Sequence, residues 1–363
     1  MRVLLPPGHA AHDPDPVIGS GAGARPYFET PARIAALLRA VQAAGLPVEE
    51  NQAWASGQES LGVIAKVHEA GYLGFLEGGF AAWRSRPGRE ADLAVRPSAF
   101  AVRPLNRRPS DIVGLAGWYL GGNGAPLLEG SWGAILASAR AAEAGARCLL
   151  AGDAQAYVLT RPPGHHAYAD LAGGFCFLNN AAIAAETLRA GGINKVGILD
   201  IDVHHGNGTQ AIFYEREDVA FASVHGDPAG LYPFFAGYAD ETGQGRGLGA
   251  TLNLPLPPGT GSAGWVAAVE RALSALRRQA VEALVVSLGF DAQEGDPSAN
   301  LAVQADGFRE AGRRIGQFGT PILLVQEGGY LITRLEDNLA AFLDGFLAAR
   351  GIATRPQLTE TPA

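Results

Sequence analysis

Cysteine is nearly absent from this chain. Cys148 and Cys176 are the only two in 363 residues, too few for a disulfide framework, so a reducing cytoplasm is the expected compartment. Positive charge is also in short supply: 28 Lys and Arg stand against 36 Asp and Glu, a net charge of -8. That balance leaves no electrostatic footprint for nucleic acid or an anionic membrane, and it tolerates cationic substrates. No apolar run is long enough to span a bilayer, and the apolar part of "MRVLLPPGHAAHDPDP" is too short for a signal peptide. No internal repeat is visible. The glycine-rich "HHGNGTQ" lacks the lysine and spacing of a phosphate loop, and no Gly-x-Ser-x-Gly elbow occurs, which excludes a P-loop nucleotide site and a serine-hydrolase nucleophile of that type.

What is present is a large apolar fraction, 47%, with 49 glycines and 23 prolines spread along the chain. This suits a globular protein with many loops. Apolar runs recur at 2–5 (RVLL), 156–160 (AYVLT), 196–201 (VGILDI), 219–224 (VAFASV), 250–254 (ATLNL), 283–288 (ALVVSL) and 322–326 (ILLVQ). Several are continuous, as strands covered on both faces are. Helical patterns lie between them, at 31–45, 179–192 and 262–279. The alternation predicts an α/β fold: a single domain over residues 1–350, with a mostly parallel sheet of about eight strands and helices on both faces. The Arg- and Pro-rich stretch 84–111 reads as an inserted loop, and 351–363 as a C-terminal tail.

Open parallel sheets bind ligands beyond the carboxyl ends of their strands. Five predicted strands run there into polar, glycine-bearing clusters: "RPPGHH", "DVHHGNG", "HGDP", "FDAQEGDP" and "EGGY". Of the eight histidines, His165, His166, His204, His205 and His225 fall in this region. Asp202 and His204, at i and i+2, share one face of an extended segment, and Asp291 follows another strand. Two carboxylates and an imidazole with open positions suit a catalytic zinc; simple capping of the strand end is the bland alternative. His165 and His166 sit on a rigid turn. Paired with Asn207, His166 stays near neutral and serves as general base. Paired with Asp200, His165 is the charged member. Tyr330 stands ready to donate to an oxyanion, although a packed tyrosine is an equal reading in isolation. Gly174, Phe175 and Tyr232 are candidates for a narrow pocket wall, with ordinary core aromatics the competing reading. Cys176 reads as a small buried side chain.

The segments "RPPGHHAYADLAGGFCFLNNAAIAA", "LDIDVHHGNGTQAIFYEREDVAFASVHGDP", "YPFFAGYADETGQGRGLGATLN", "SLGFDAQEGDP" and "QEGGY" resemble the histone deacetylase superfamily. The likeness is to its bacterial acetylpolyamine amidohydrolase and class II-like branch, over residues 1–347. Asn207 agrees with class II-like members, where class I members carry Asp. The resemblance implies an arginase/deacetylase fold, zinc on Asp202, His204 and Asp291, a tandem-histidine role for His165 and His166, and a carbonyl-polarising role for Tyr330. It implies a structural potassium ion near Asp200, Ser223 and Val224, with backbone carbonyls of Asp202 and His204, and a second cation site near Phe213 and Val219. The 84–111 stretch resembles an insertion that makes relatives homodimers. Three positions depart from the branch: Gly124 and Val113 fall where acidic residues at the tunnel mouth hold a distal ammonium, and Tyr232 falls where Phe is usual.

The expected activity is hydrolysis of an N-acyl amide, acetyl first among acyl groups, of a small primary amine, a polyamine or a lysine. A two-manganese ureohydrolase needs Asp-x-His-x-Asp, and Gly206 stands where the third member belongs. A silent acyl-amine binding protein is the reading from another class. It would be favoured by loss of Tyr330 or a metal ligand, and none is lost.

Overall fold

The computed structural model describes residues 1–15, 17–18, 25–56, 61–102 and 107–352. The predicted tail, apart from residues 351 and 352, and residues 103–106 of the predicted insertion lie outside that range. Eight strands form one sheet: β1 (Arg2–Leu5), β2 (Val48–Glu50), β3 (Gln155–Val158), β4 (Val196–Asp200), β5 (Val219–Gly226), β6 (Thr251–Leu256), β7 (Ala283–Leu288) and β8 (Ile322–Gln326). Their order is β2-β1-β3-β8-β7-β4-β5-β6, and every pairing is parallel. Seven of the eight are the apolar runs read from the sequence. The eighth, β2, is an exposed Val-Glu-Glu at one edge, and its charges blunt that edge against further pairing.

The central strands are apolar throughout because both faces are covered. In β7, Ala283 and Val285 point into one core while Leu284, Val286 and Leu288 point into the other; β8 splits likewise, Leu323 and Val325 against Ile322 and Leu324. One layer holds α1 (Ala32–Ala43), α7 (Ser262–Arg278), α8 (Ala305–Gly316) and α9 (Ile332–Ala349). The other holds α2 (Ala70–Arg84), α3 (Ile112–Tyr119), α4 (Ser131–Leu150) and α5 (Asn180–Ala190). Helix α7 shows why these segments fold as they do. Trp265, Ala268, Val269, Ala272, Leu273 and Leu276 recur at helical spacing and are all buried, each large one contributing on the order of 2 kcal/mol by leaving water. Helix α5 is started by Asn179, whose side chain accepts from the Ala182 N–H at 2.9 Å.

All strands point the same way, so their carboxyl ends crowd one rim. The loops after β3, β4, β7 and β8 meet there, and the site is built from them. The 84–111 stretch leaves α2 and is pinned back to the body. Trp83 Nε1 donates to Asp92 at 2.7 Å, the Arg89 guanidinium lies 4.2 Å from the Trp83 ring centre, and Val95 bridges Leu127. Leu93, Phe100 and Val102 on this stretch remain 65%, 48% and 69% exposed. Among the described residues, no helix is long and apolar enough to cross a membrane.

Candidate active site

Strand β4 ends at Asp200, and residues 202–204 form bends rather than the extended segment expected from the i, i+2 spacing. The bend still delivers both side chains to one point. His204 Nδ1 lies 3.2 Å from Asp202 Oδ1 and 3.2 Å from Asp291 Oδ2, and one atom from each residue falls within 4.8 Å of the others. Backbone amides hold the two carboxylates: Gly328 N–H donates to Asp202 Oδ2 at 2.8 Å, and Val203 N–H to Asp291 Oδ1 at 2.9 Å. His204 Nε2 faces the Ser298 carbonyl at 3.0 Å. A proton on Nε2 then leaves the Nδ1 lone pair aimed between the carboxylates, the tautomer a metal ligand needs. Only glycine permits this closeness. A Cβ on Gly289 would sit 2.2 Å from an Asp202 carboxylate oxygen, and one on Gly328 2.2 Å from an Asp291 oxygen.

Two buried carboxylates side by side demand a cation. Burial and the neighbouring Asp202 push the Asp291 carboxyl up to about 7. Burial opposes charge on His204, but Asp202 and Asp291 hold its pKa well above the usual range. The pocket is organised around positive charge, and an O,O,N donor set fits a divalent metal ion. A second group, His165, Cys176 and Glu327, is also close enough to share an ion, but its donors are committed elsewhere. Glu327 accepts from the Gly164 N–H at 2.7 Å, and burial raises it to about 7. Burial also pushes the Cys176 thiol up, and its Sγ lies 3.3 Å from the Gly174 carbonyl.

The loop after β3 carries the two histidines side by side, ring centres 4.0 Å apart. His165 Nδ1 is 3.0 Å from Asp200 Oδ2. Burial disfavours its charge, yet Asp202 and Asp200 overcome that and raise it to about 10. His166 Nδ1 is 2.6 Å from Asn207 Oδ1. Burial, then the charges of His165 and His204, hold it well below the usual imidazole value. The pair is therefore one imidazolium and one neutral ring. The neutral ring lines the cavity, with Nδ1–H spent on Asn207 and the Nε2 lone pair free to take a proton. The Asn207 amide in turn donates to the Tyr168 hydroxyl at 2.9 Å.

Tyr330 enters from the loop after β8. Its ring meets Phe175 edge-on at 5.5 Å, and the Arg33 guanidinium lies 5.0 Å from its centre. Burial raises its phenol well above 10, so it is a neutral hydrogen-bond donor. Gly174 adopts φ +53°, and a Cβ there would lie 2.3 Å from the His166 ring. Tyr232 packs edge-on against His166 at 4.8 Å. One cavity of about 600 Å³ is lined by His166, His204 and Tyr330 and walled by Gly174, Phe175, Tyr232 and Gly124. Val113 does not line it; that residue packs from α3 against the apolar core. Asp200 and Ser223 are register partners across β4 and β5, with Val224 next in chain, and all three are buried. Ser223 Oγ lies 2.8 Å from His225 Nδ1. Phe213, at the end of a short helix (Asn207–Phe213), and Val219, at the start of β5, are buried as well.

Sequence reading missed the residues that hold the Tyr330 loop. Arg33 Nε donates to the Gly329 carbonyl at 2.7 Å, and another of its nitrogens to the Glu327 carbonyl. Glu29 accepts from Arg33 at 2.9 Å and pairs with Arg161 at 2.9 Å; all three are fully buried. Asp296 was visible in "EGDP" without a role. It binds the Ser298 N–H and hydroxyl through one oxygen and the Tyr330 and Leu331 N–H groups through the other.

The histone deacetylase domain model matches residues 27–346. An acetylpolyamine amidohydrolase of Burkholderia pseudomallei is 44% identical over 351 residues, covering 97% of this chain and 100% of its own length. One from Mycoplana ramosa is 41% identical over 346 residues, covering 95% and 99%. The crystal structure of an acetylpolyamine aminohydrolase from Burkholderia pseudomallei superposes with a TM-score of 0.89 at 42% identity, covering 96% of this chain and 99% of that one. With this fold and this metal-ready site, the chain belongs to the metal-dependent histone deacetylase family, on the branch of the bacterial acetylpolyamine amidohydrolases, and is an enzyme of the deacetylase and amidohydrolase class.

Proposed function

We propose that the protein is a zinc-dependent amidohydrolase that removes an acetyl group from the nitrogen of a primary amine. One observation carries the reading: Asp202, His204 and Asp291 converge on one point of a cavity that also presents the neutral His166 ring and the Tyr330 phenol. Two carboxylates and one imidazole from the protein suit zinc with positions left for water and substrate. Bound there, zinc supplies polarisation of the amide carbonyl and acidification of a water molecule. The rest falls to the chain. His166 Nε2 accepts the proton of the water that adds to the carbonyl carbon, while Asn207 fixes its ring through Nδ1. The Tyr330 hydroxyl donates to the oxygen that gains negative charge. His166 then returns the proton to the leaving nitrogen, and acetate and free amine result. His165, held charged by Asp200, adds a fixed positive charge beside the reacting centre.

The names of the relatives favour an acetylated polyamine as the amide; an acetyl-lysine side chain presents the same group. Asp200, Ser223 and Val224, with nearby backbone carbonyls, offer oxygens to a structural potassium ion, and the region of Phe213 and Val219 is the place for a second cation. The exposed Leu93, Phe100 and Val102 suit burial in a homodimer, which sedimentation would detect. Two unpaired thiols fit a reducing cytoplasm.

The test combines metal analysis with turnover. Protein stripped by a chelator and reloaded should bind one catalytic zinc per chain and release acetate from a simple acetamide. Asp291→Ala should lose both. A protein that binds no zinc, or turns over equally well without Asp291, refutes the assignment.

A further inference from the structure

The cavity above the metal ligands has a wall chemistry of its own. Beyond His166, His204 and Tyr330 at its base, its sides are Pro26, Phe28, Phe175, Leu231, Tyr232, Phe234 and Pro297. Asn123, Ser298 and the Tyr232 hydroxyl, which lies beside Gly173, are the uncharged polar groups on its sides. Among the described residues, no Asp or Glu lines it. Two carboxylates stand next in sequence to lining residues, and both are consumed inside the protein. Glu29, beside Phe28, is fully buried between Arg33 and Arg161. Asp296, beside Pro297, is 5% exposed and accepts four hydrogen bonds from Ser298, Tyr330 and Leu331. Glu29 is sealed from solvent and out of a ligand's reach, and both oxygens of Asp296 are already engaged.

One wall also lacks side chains. Gly121, Gly122, Gly124, Gly173 and Gly174 all border the cavity. A Cβ on Gly122 would meet nothing within 4 Å, and one on Gly124 nothing nearer than 3.9 Å, the Phe175 ring edge and backbone. No side chain occupies the space next to Gly122, and beside Gly124 the nearest group is Phe175.

Resting on the amidohydrolase reading above, but departing from the polyamine that the relatives' names favour, we infer that this cavity selects acetamides whose far end is uncharged and apolar, an alkyl chain or best an aryl ring, over those ending in an ammonium. An ammonium must shed part of its hydration to enter, and no carboxylate replaces it. Aromatic faces attract a cation, but more weakly than a paired carboxylate does. A methyl or phenyl group in the same position loses no such hydration and gains burial against Phe28, Phe175, Tyr232 and Phe234.

The experiment compares N-acetylputrescine with N-pentylacetamide, which has a methyl in place of the terminal ammonium, and with N-(2-phenylethyl)acetamide. kcat/KM is measured on the metal-loaded enzyme at neutral pH, and binding of the same three amides to Tyr330→Phe is measured by calorimetry. Both neutral amides should exceed N-acetylputrescine at least tenfold in kcat/KM and bind more tightly. A ratio below tenfold, or N-acetylputrescine ahead, overturns the inference. If no amide is hydrolysed, the amidohydrolase reading fails instead. The order of affinities then decides alone: tighter neutral amides uphold the selectivity, and tighter N-acetylputrescine overturns it.

Discussion

Asp296 holds Tyr330 by the backbone: its Oδ2 accepts the Tyr330 N–H at 2.8 Å and the Leu331 N–H at 2.9 Å. Its other oxygen accepts the Ser298 N–H at 2.9 Å and hydroxyl at 2.7 Å, and the Ser298 carbonyl faces His204 Nε2. One carboxylate therefore sets the position of the phenol and of a proposed metal ligand together. Asp296→Asn replaces one of two accepting oxygens by an NH2 group that cannot accept, so one pair of N–H or O–H donors loses its partner and the loop must shift. A displacement of about 1 Å at a reacting group costs on the order of a hundredfold in rate. The expected outcome is a fall in kcat of that order with KM changed far less and the protein still folded. Ser298→Ala, which removes one donor of four, should leave kcat nearly unchanged. A loss of melting temperature with kcat intact would mean that the carboxylate is only structural.

His166 and His165 touch each other, but one ring is neutral and the other charged, so their removal should differ. His166→Ala takes away the proton acceptor, and kcat should fall by about a hundredfold to ten-thousandfold with zinc content unchanged. His165→Ala should lower kcat less and leave the Asp200 carboxylate buried without its partner. Its signature is a lower unfolding midpoint in urea, which His166→Ala should not share to the same degree.

Much of this was legible in the sequence because the parallel sheet imposes two simple patterns. Strands buried on both faces read as unbroken apolar runs, and their carboxyl ends read as polar clusters; β4, β7 and β8 showed both. The three helices read from the sequence were placed within about two residues at each end, as 31–45 against Ala32–Ala43 and 179–192 against Asn180–Ala190; the other labelled helices were not read. Strand β2 was not, because an exposed Val-Glu-Glu has neither an apolar run nor alternation. Arg33 was silent for a different reason. Its hydrogen bond to Gly329 spans 296 residues of sequence, and nothing local to "TPARIAALL" marks one arginine of an amphipathic helix as buried. Pairings of that range are set by topology alone.

The selectivity of the cavity can be turned. Gly124 borders it, and a side chain there has room beside Phe175. Gly124→Glu should raise kcat/KM for N-acetylputrescine relative to N-pentylacetamide and to acetyl-lysine by about tenfold, which corresponds to about 1.4 kcal/mol of new charge pairing. Gly124→Gln has nearly the same shape without the charge and should not. Equal effects of the two variants would show that the side chain acts by filling space.

His68 ties acid stability to the same architecture. It is 2% exposed, and its Nε2 accepts the Asn179 N–H at 2.9 Å at the start of α5, a bond only the neutral ring can accept. The Tyr72 ring lies 5.9 Å away, and burial lowers the pKa of His68 from 6.5 to about 4. The sign follows from proton binding. Between pH 6.5 and 4 the unfolded chain takes up a proton that the folded chain refuses, so stability is lost as pH falls through that window and the loss levels off below it. A shift of this size corresponds to at most about 3 kcal/mol. His68→Gln keeps an acceptor for Asn179 but does not titrate. Its urea midpoint should therefore fall less steeply than that of the wild type between pH 6.5 and 4, and parallel slopes would remove His68 from the account of acid unfolding.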